Sequence, residues 1–558
     1  MRITQTSDLW WKHAVVYCLD VQTYLDSDGD GIGDFAGLSQ RVDHLADLGV
    51  DVIWLMPFYP TADVDDGYDI TDFYAVDPRL GSLGDFVEFV RTANDRGLRV
   101  IADLVCNHTS TQHPWFRAAR ADADSPFRDF YVWRDEKPPE QPGDVVFPDR
   151  ETSIWSYDRA AGQFYLHRFY RSQPDLNVAN PRVRDEIAKV MGFWMQLGLD
   201  GFRVDAVPFL IETLGIDGGT EALPDPHALL RDLRAFLSRR RGGATLLGEV
   251  NLSHQDARRF FGDEDGDEVT MLFDFPTMQA TWLALARRDA GPIRAALTAR
   301  PPAPADSQWA VFLRNHDELT LDKLSGAERE EVFAAFGPDP GMQLFGRGLR
   351  RRLPTMLGGE GRRIRLAYSL MFGLPGTPAL FYGEEIGLGE QLALEGRMAV
   401  RTPMQWQPGR HGGFSDEDVE PCRPFPDGDF APAAVNVQDQ RHDPASLLVW
   451  MRERIHRYRE CPELAWGHAT VLEHAVAPVL ALRTDWEGGT IVQAHNLADA
   501  AAEVPLTLTG EPAGARLVDL FDADGELRLG EGGAVTVPLE PYGTRWFRLL
   551  RDAERRLT

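Results

Sequence analysis

Cysteine is scarce. The 558 residues hold four, Cys18, Cys106, Cys422 and Cys461, widely separated and without a CxxC pair. That spacing excludes a disulfide framework and a cysteine zinc site, and Cys18 and Cys106, set in apolar runs, are expected as buried thiols. Positive charge is also short: 58 Lys and Arg face 86 Asp and Glu, a net charge of −28. Proteins that hold nucleic acid or anionic membranes carry basic patches, so neither is an expected partner, and the acid excess reads as solubility. No uninterrupted apolar stretch is long enough to span a bilayer, and "MRITQTSDLWWKHAVVY" lacks the apolar core of a secretory leader. A cytoplasmic location is the resulting expectation. The remaining totals, 43% hydrophobic and 26% charged, suit a globular enzyme of two or three structural units.

The order of segments is more telling. Eight strand-like runs recur: "AVVYCLDV", "DVIWLMP", "RVIADLV", "GFRVDA", "TLLGEV", "TMLFDF", "WAVFLR" and "TPALFYG". Between them lie segments with apolar residues at three- and four-residue spacing that end in Gly, such as "GLSQRVDHLADLG". Strand-then-helix repetition implies a parallel sheet, and eight repeats predict an α/β fold, a closed (β/α)8 TIM barrel; a doubly wound open sheet is the alternative. Residues 106–175 break the rhythm with Pro, Asp and aromatics and predict an inserted domain after strand three. From residue 464 to 558, short alternating strands predict a C-terminal antiparallel β-sandwich. The barrel itself is assigned to 1–105 and 176–463.

After the first strand comes "DSDGDGIGD", residues 26 to 34, with oxygen ligands at alternate positions. An EF-hand needs a bidentate Glu at loop position 12, which here is Gly37, and needs a helix where this chain has a strand. The sensor reading fails, yet four converging carboxylates still predict a cation among them.

Barrel enzymes place their chemistry at the C-terminal ends of strands. Those ends carry Asp103, Asn107 and His108 (strand three), Arg203 and Asp205 (four), Glu249 (five), and His316 and Asp317 (seven). Arg203, two residues before Asp205, points the same way by strand alternation and would keep that carboxylate ionised. Glu249, in a less polar setting, would hold its proton. Two carboxyls about 5 Å apart with such opposed environments are the layout of a retaining glycosidase, with a covalent glycosyl intermediate.

"DLVCNH", "GFRVDA", "LLGEV" and "FLRNHDE" resemble the four conserved regions of glycoside hydrolase family 13, the α-amylase superfamily. "QPDLN" and "RTPMQW" resemble its oligoglucosidase and trehalose synthase branch, and the wider pattern ("SDGDGIGDFAGL", "FLRNHDELTL", "GRGLRRRLPTMLGG") is nearest to trehalose synthases. The resemblance implies Asp205 as nucleophile, Glu249 as acid/base and Asp317 as transition-state stabiliser. It implies that Arg203, His108, His316, Arg397 and the Tyr68–Asp69 pair hold the glucose ring. Residues 106–175 would be the family's domain B. It also implies one structural Ca²⁺ (or Mg²⁺) on Asp26, Asp28, Asp30, the Ile32 carbonyl and Asp34. A second would sit on Asn107, Asp175, the Phe209 and Leu210 carbonyls, and Glu212. No organic cofactor is implied. The implied reaction is maltose to trehalose by intramolecular glucosyl transfer; the alternative is an α-glucosidase, or transfer to another small acceptor.

The departures fall around the acceptor: "GIDGGTEALPDPH", "EVNLS" and "LEGRMAV" differ from the branch's usual patterns. Trp133, Trp155, Tyr157 and Phe164 read as packing more than as sugar platforms. Arg350, Arg351 and Arg352 read as a solvated face, with neutralisation of acidic loops or of a neighbouring subunit of a homo-oligomer as the other readings.

Overall fold

The computed structural model describes residues 9–551 apart from 142, 149, 213–224, 264–265 and 523. All eight strand-like runs form strands: β1 Val16–Leu19, β2 Val52–Leu55, β3 Arg99–Leu104, β4 Gly201–Val204, β5 Thr245–Gly248, β6 Met271–Phe273, β7 Gln308–Val311 and β8 Thr377–Phe381. Each pairs in parallel with its sequence neighbour, and β8 closes on β1 through Val16–Ala379. Side chains on both faces of these strands are buried, which is why the runs are continuously apolar rather than alternating. The crossover helices bury one face each. Helix Leu83–Asp95 opens with a Ser82–Asp85 capping box and turns Phe86, Phe89, Val90 and Ala93 inward. Helix Pro181–Gln196 starts on an Asn180 cap with Pro at its first turn and buries Ile187, Val190, Met191 and Trp194.

After β3 the chain leaves the barrel for a small antiparallel sheet, Trp133–Arg134 with Gln163–Leu166 and Trp155–Asp158, around a minor core of Val132, Ile154, Trp155 and Leu166. Trp133 stacks on Phe116, Trp155 belongs to that core and Phe164 packs against it, as the packing reading expects, whereas Tyr157 is exposed. Beyond the barrel lie β9 His468–Val471, β10 Val479–Trp486, β11 Gly489–Asn496, β12 Ala502–Thr507, β13 Arg516–Asp519, β14 Glu526–Arg528, β15 Ala534–Leu539 and β16 Thr544–Leu550. They form an antiparallel sheet in the order β9-β10-β11-β16-β13-β14, with β12 and β15 paired separately, around their own apolar cluster. Among the described residues, no helix is long and apolar enough to cross a membrane. The four cysteines are all free.

The arginine triplet corrects the solvated-face expectation. Arg352 is buried and donates to the Val400 and Tyr382 carbonyls. Arg351 pairs with Glu390 at 2.9 Å, and Arg350 donates to the Gly341, Leu392 and Leu394 carbonyls. These cations staple the loops after β7 and β8 together, a job for backbone acceptors far away in sequence.

Candidate active site

The C-terminal ends of the barrel strands surround a cavity of about 340 Å³. Asp205, Glu249 and Asp317 all line it, together with Asp65, Tyr68, His108 and Arg397. Beneath them lies Arg203, itself buried. Its Nη1 donates to Asp205 Oδ1 at 2.6 Å and to Asp103 Oδ1 at 2.7 Å, while Nη2 donates to Glu249 Oε2 at 2.6 Å. One guanidinium therefore holds the ends of β3, β4 and β5 in register. Asp103 is the hub behind it, accepting also from Tyr68 Oη at 3.0 Å and Trp54 Nε1 at 3.3 Å.

This arrangement corrects the expected division of labour between the two carboxyls. Arg203 serves Glu249 as well as Asp205, so their settings are not opposed. Burial raises both and Arg203 pulls both back, while neighbouring carboxylates push each upward, leaving Asp205 at about 6 and Glu249 at about 7. Asp205 is thus the easier of the two to ionise, in the expected order, but it sits above the ordinary carboxylate range. Asp317 goes the other way. Burial works to raise it, but Arg397, His316 and Arg401 outweigh burial and hold it well below the usual range. Arg397 Nη1 and Arg401 Nη2 lie 3.1 and 3.0 Å from Asp317 Oδ1.

His108 lines the wall, its Nε2 3.2 Å from the Tyr68 carbonyl, and burial lowers it to about 4. His316 stands behind the wall: its ring stacks on Tyr68 at 5.7 Å, with Nε2 2.7 Å from Tyr68 Oη. Asp69 is not in the cavity. Its Oδ1 accepts from Thr61 Oγ1 and from the Val64 and Asp65 amides, so it folds its own turn. The carboxylate that reaches the cavity from this turn is Asp65, which the sequence reading missed; Gln173 Nε2 donates to it at 2.8 Å, and burial raises it to about 7. Phe147, Phe169 and Asp322 are further lining residues outside the quoted motifs, and Glu318, the last residue of "FLRNHDE", lines it too.

The cation loop is only partly as expected. Oxygens of Asp26, Asp28 and Asp34 lie within 4.8 Å of one another; Asp30 is not among them, and its Oδ1 accepts from the Ile32 amide at 2.8 Å. Gly31 explains the glycine spacing: its φ is +88°, and a Cβ there would meet the Glu420 carbonyl at 2.3 Å. At the other expected site, Asn107 Nδ2 donates to Asp175 Oδ1 at 3.3 Å, while Asn107 Oδ1 and Asp175 Oδ2 are buried with no hydrogen-bond partner. Buried orphan oxygens are costly, and two side by side fit an oxygen-ligated cation. Phe209 and Leu210 lie in the short helix Val207–Glu212 after β4. The Glu212 side chain and residues 213–224, most of the "GIDGGTEALPDPH" stretch, lie outside the described residues.

The sequence model of the alpha-amylase catalytic domain matches residues 21–335 and 349–467. The chain belongs to the alpha-amylase family. It is an enzyme of that family, a glycoside hydrolase or transglucosidase. A second model, described as the C-terminal domain of sucrose hydrolase-like proteins, matches residues 488–548. Among relatives, the chain is 44% identical over 460 residues to a trehalose synthase/amylase of Mycolicibacterium smegmatis, covering 81% of this chain and 77% of that one. It is 42% identical over 508 residues to one of Mycobacterium tuberculosis, covering 89% and 84%. Among solved family structures, an alpha-glucosyl transfer enzyme, XgtA, superimposes with a TM-score of 0.76 at 26% identity, over 97% of this chain and 99% of that one.

Proposed function

We propose that this family member interconverts maltose and trehalose by transferring a glucosyl unit within one cavity, through a covalent bond to Asp205. The observation that carries this reading is the cavity: about 340 Å³, near the small end of binding pockets at roughly 300–1,000 Å³, with both key carboxyls on one guanidinium. Such a site suits a disaccharide better than a polymer. The likeness to trehalose synthases supports the substrate pair.

In this mechanism Asp205, ionised above about pH 6, attacks the anomeric carbon from one face. Glu249 enters protonated and gives its proton to the leaving glycosidic oxygen. Asp317, held anionic by Arg397 and Arg401, stabilises positive charge at the anomeric centre. Tyr68, His108, Asp65 and Arg397 position the ring, with Arg203 and His316 fixing them from behind. The released glucose turns, Glu249 takes the proton of its anomeric hydroxyl, and that oxygen attacks the anomeric carbon of the glucosyl unit, breaking its bond to Asp205 and releasing the carboxylate. If water attacks instead, the product is glucose, and the same machinery is an α-glucosidase; the two mycobacterial relatives carry both words, synthase and amylase, in their names.

Two structural cations of the Ca²⁺ or Mg²⁺ type complete the proposal. Asp26, Asp28 and Asp34 would hold one, with the nearby Asp30 and Ile32 carbonyl completing the expected set; Asn107 and Asp175 would anchor the other. The test of function is to incubate the protein with maltose and follow products by NMR. Trehalose as the main product is expected; glucose alone would refute transfer. Asp205→Asn should lower turnover of every α-glucoside on the order of a thousandfold or more.

A further inference from the structure

Between Phe336 and Leu349 the chain forms a hairpin, Gln343–Leu344 antiparallel to Gly348–Leu349, whose second strand also pairs with Leu319–Thr320 just beyond Asp317. Its tip is unusual. Phe345 and Gly346 both have positive φ, +56° and +63°. A turn with two left-handed residues normally uses Asn, Asp or Gly, and a bulky residue there is strained. Phe345 is nonetheless buried, with 8% of its surface exposed. The tip lies in the stretch that the catalytic-domain model leaves unmatched.

The strain has a purpose in the packing. The Phe345 ring meets Phe147 of the inserted domain at 4.9 Å, and Phe147 lines the cavity. Arg397, which pairs with Asp317 and Glu318, lies against both rings, 4.9 Å from Phe147 and 5.7 Å from Phe345. Phe147 is itself stacked on Tyr170 at 4.7 Å, and Arg150 pairs with Glu395 to tie the inserted domain to the loop that carries Arg397. Two chain segments far apart in sequence therefore meet at a ring–ring contact beside the cavity wall.

We infer that Phe345 is a positioning residue that keeps Phe147 and Arg397 closed over the cavity, and that this contact decides whether released glucose is recaptured or lost to water. The inference rests on the transfer reading above. Phe345 touches no reacting atom; it acts by holding the wall in which Phe147 and Arg397 stand.

The test compares wild type with Phe345→Asn, Phe345→Tyr and Phe147→Ala on maltose, measuring trehalose, glucose and the uptake of ¹³C-glucose from solution into trehalose. Asn suits the turn and removes the ring, so Phe345→Asn should keep the melting temperature and the rate of maltose consumption. Its glucose-to-trehalose ratio should rise about two- to tenfold, the equivalent of one lost aromatic pair, and ¹³C uptake should rise with it. Phe147→Ala should move the ratio the same way, and Phe345→Tyr should restore it. An unchanged ratio in Phe345→Asn and Phe147→Ala, beside wild-type trehalose formation, would overturn the gate alone. Glucose as the sole wild-type product would overturn the transfer reading and the gate with it.

Discussion

Replacing Asp103 by Asn tests the electrostatics of the site without touching a residue that meets substrate. On the proposed mechanism, activity needs Asp205 ionised and Glu249 protonated, with values of about 6 and about 7. The competent form is then about 60% populated at pH 6.5 and about 9% at pH 5 and pH 8, so kcat/KM should trace a narrow bell, about sevenfold lower at either end. The limbs belong to the cluster, since Asp103, Asp205 and Glu249 share Arg203. Asp103 and Asp205 both bond Nη1, which puts their oxygens no more than about 5 Å apart; at an effective dielectric of about 20 to 80 that is about 0.8–3 kcal/mol of repulsion. Removing the Asp103 charge relieves it and frees more of Arg203 for the other two carboxyls. The sign follows: ionisation of Asp205 and Glu249 becomes easier, and both limbs move to lower pH, by about half a unit to two units. The assay is kcat/KM for maltose from pH 4.5 to 9, with melting temperature measured in parallel. Limbs that stay in place, or move upward, would refute the shared-guanidinium account.

Two further outcomes follow. Stripping divalent cations with a chelator should lower the melting temperature by a few degrees, since a cation present at a hundred times its dissociation constant contributes about 2.7 kcal/mol; the trehalose-to-glucose ratio should hardly change. A changed ratio at constant melting temperature would contradict a structural role. Asp65→Asn should lower kcat/KM about 10- to 100-fold by weakening a charge-assisted contact to a sugar hydroxyl, whereas Asp69→Asn should act mainly on stability. Equal kinetic losses in both would return Asp69 to the cavity.

The barrel was legible because its strands are buried on both faces, so each appears as an unbroken apolar run. Asp205, Glu249 and Asp317 were legible because strand ends point at the bowl whatever the loops do. Asp65 was not. The turn from 61 to 69 holds four aspartates, and positive φ at Asp63 and Asp66 decides which of them turns inward; side-chain type alone carries no such signal. The Phe147–Phe345 contact joins segments 198 residues apart and leaves no periodicity to read. The arginine triplet misled for a related reason: three charges in a row look solvated, while their partners, Glu390 and several backbone carbonyls, are brought together only by the fold.

The cation loop is less remote from the chemistry than its place after the first strand suggests. Gln22, at its root, bonds Asp66, and Asp66 holds Arg423 and Arg401, the latter at 2.6 Å. Arg401 then reaches Asp317 with its other nitrogen and the His316 carbonyl with Nε. Gly31 fits so tightly against the Glu420 carbonyl that the loop and the 405–423 segment must take their places together, and Arg423 comes from that segment. A cation that fixes the loop would therefore fix Asp66, and through it the arginine that keeps Asp317 anionic. The chain of contacts is short but passes through buried, mutually satisfied ion pairs, which hold one arrangement or break outright rather than adjusting by degrees. Loss of the loop should thus remove the folded site as a whole before it retunes the partition between trehalose and glucose. On the inference above, that partition depends instead on the contact where Phe147, Phe345 and Arg397 meet.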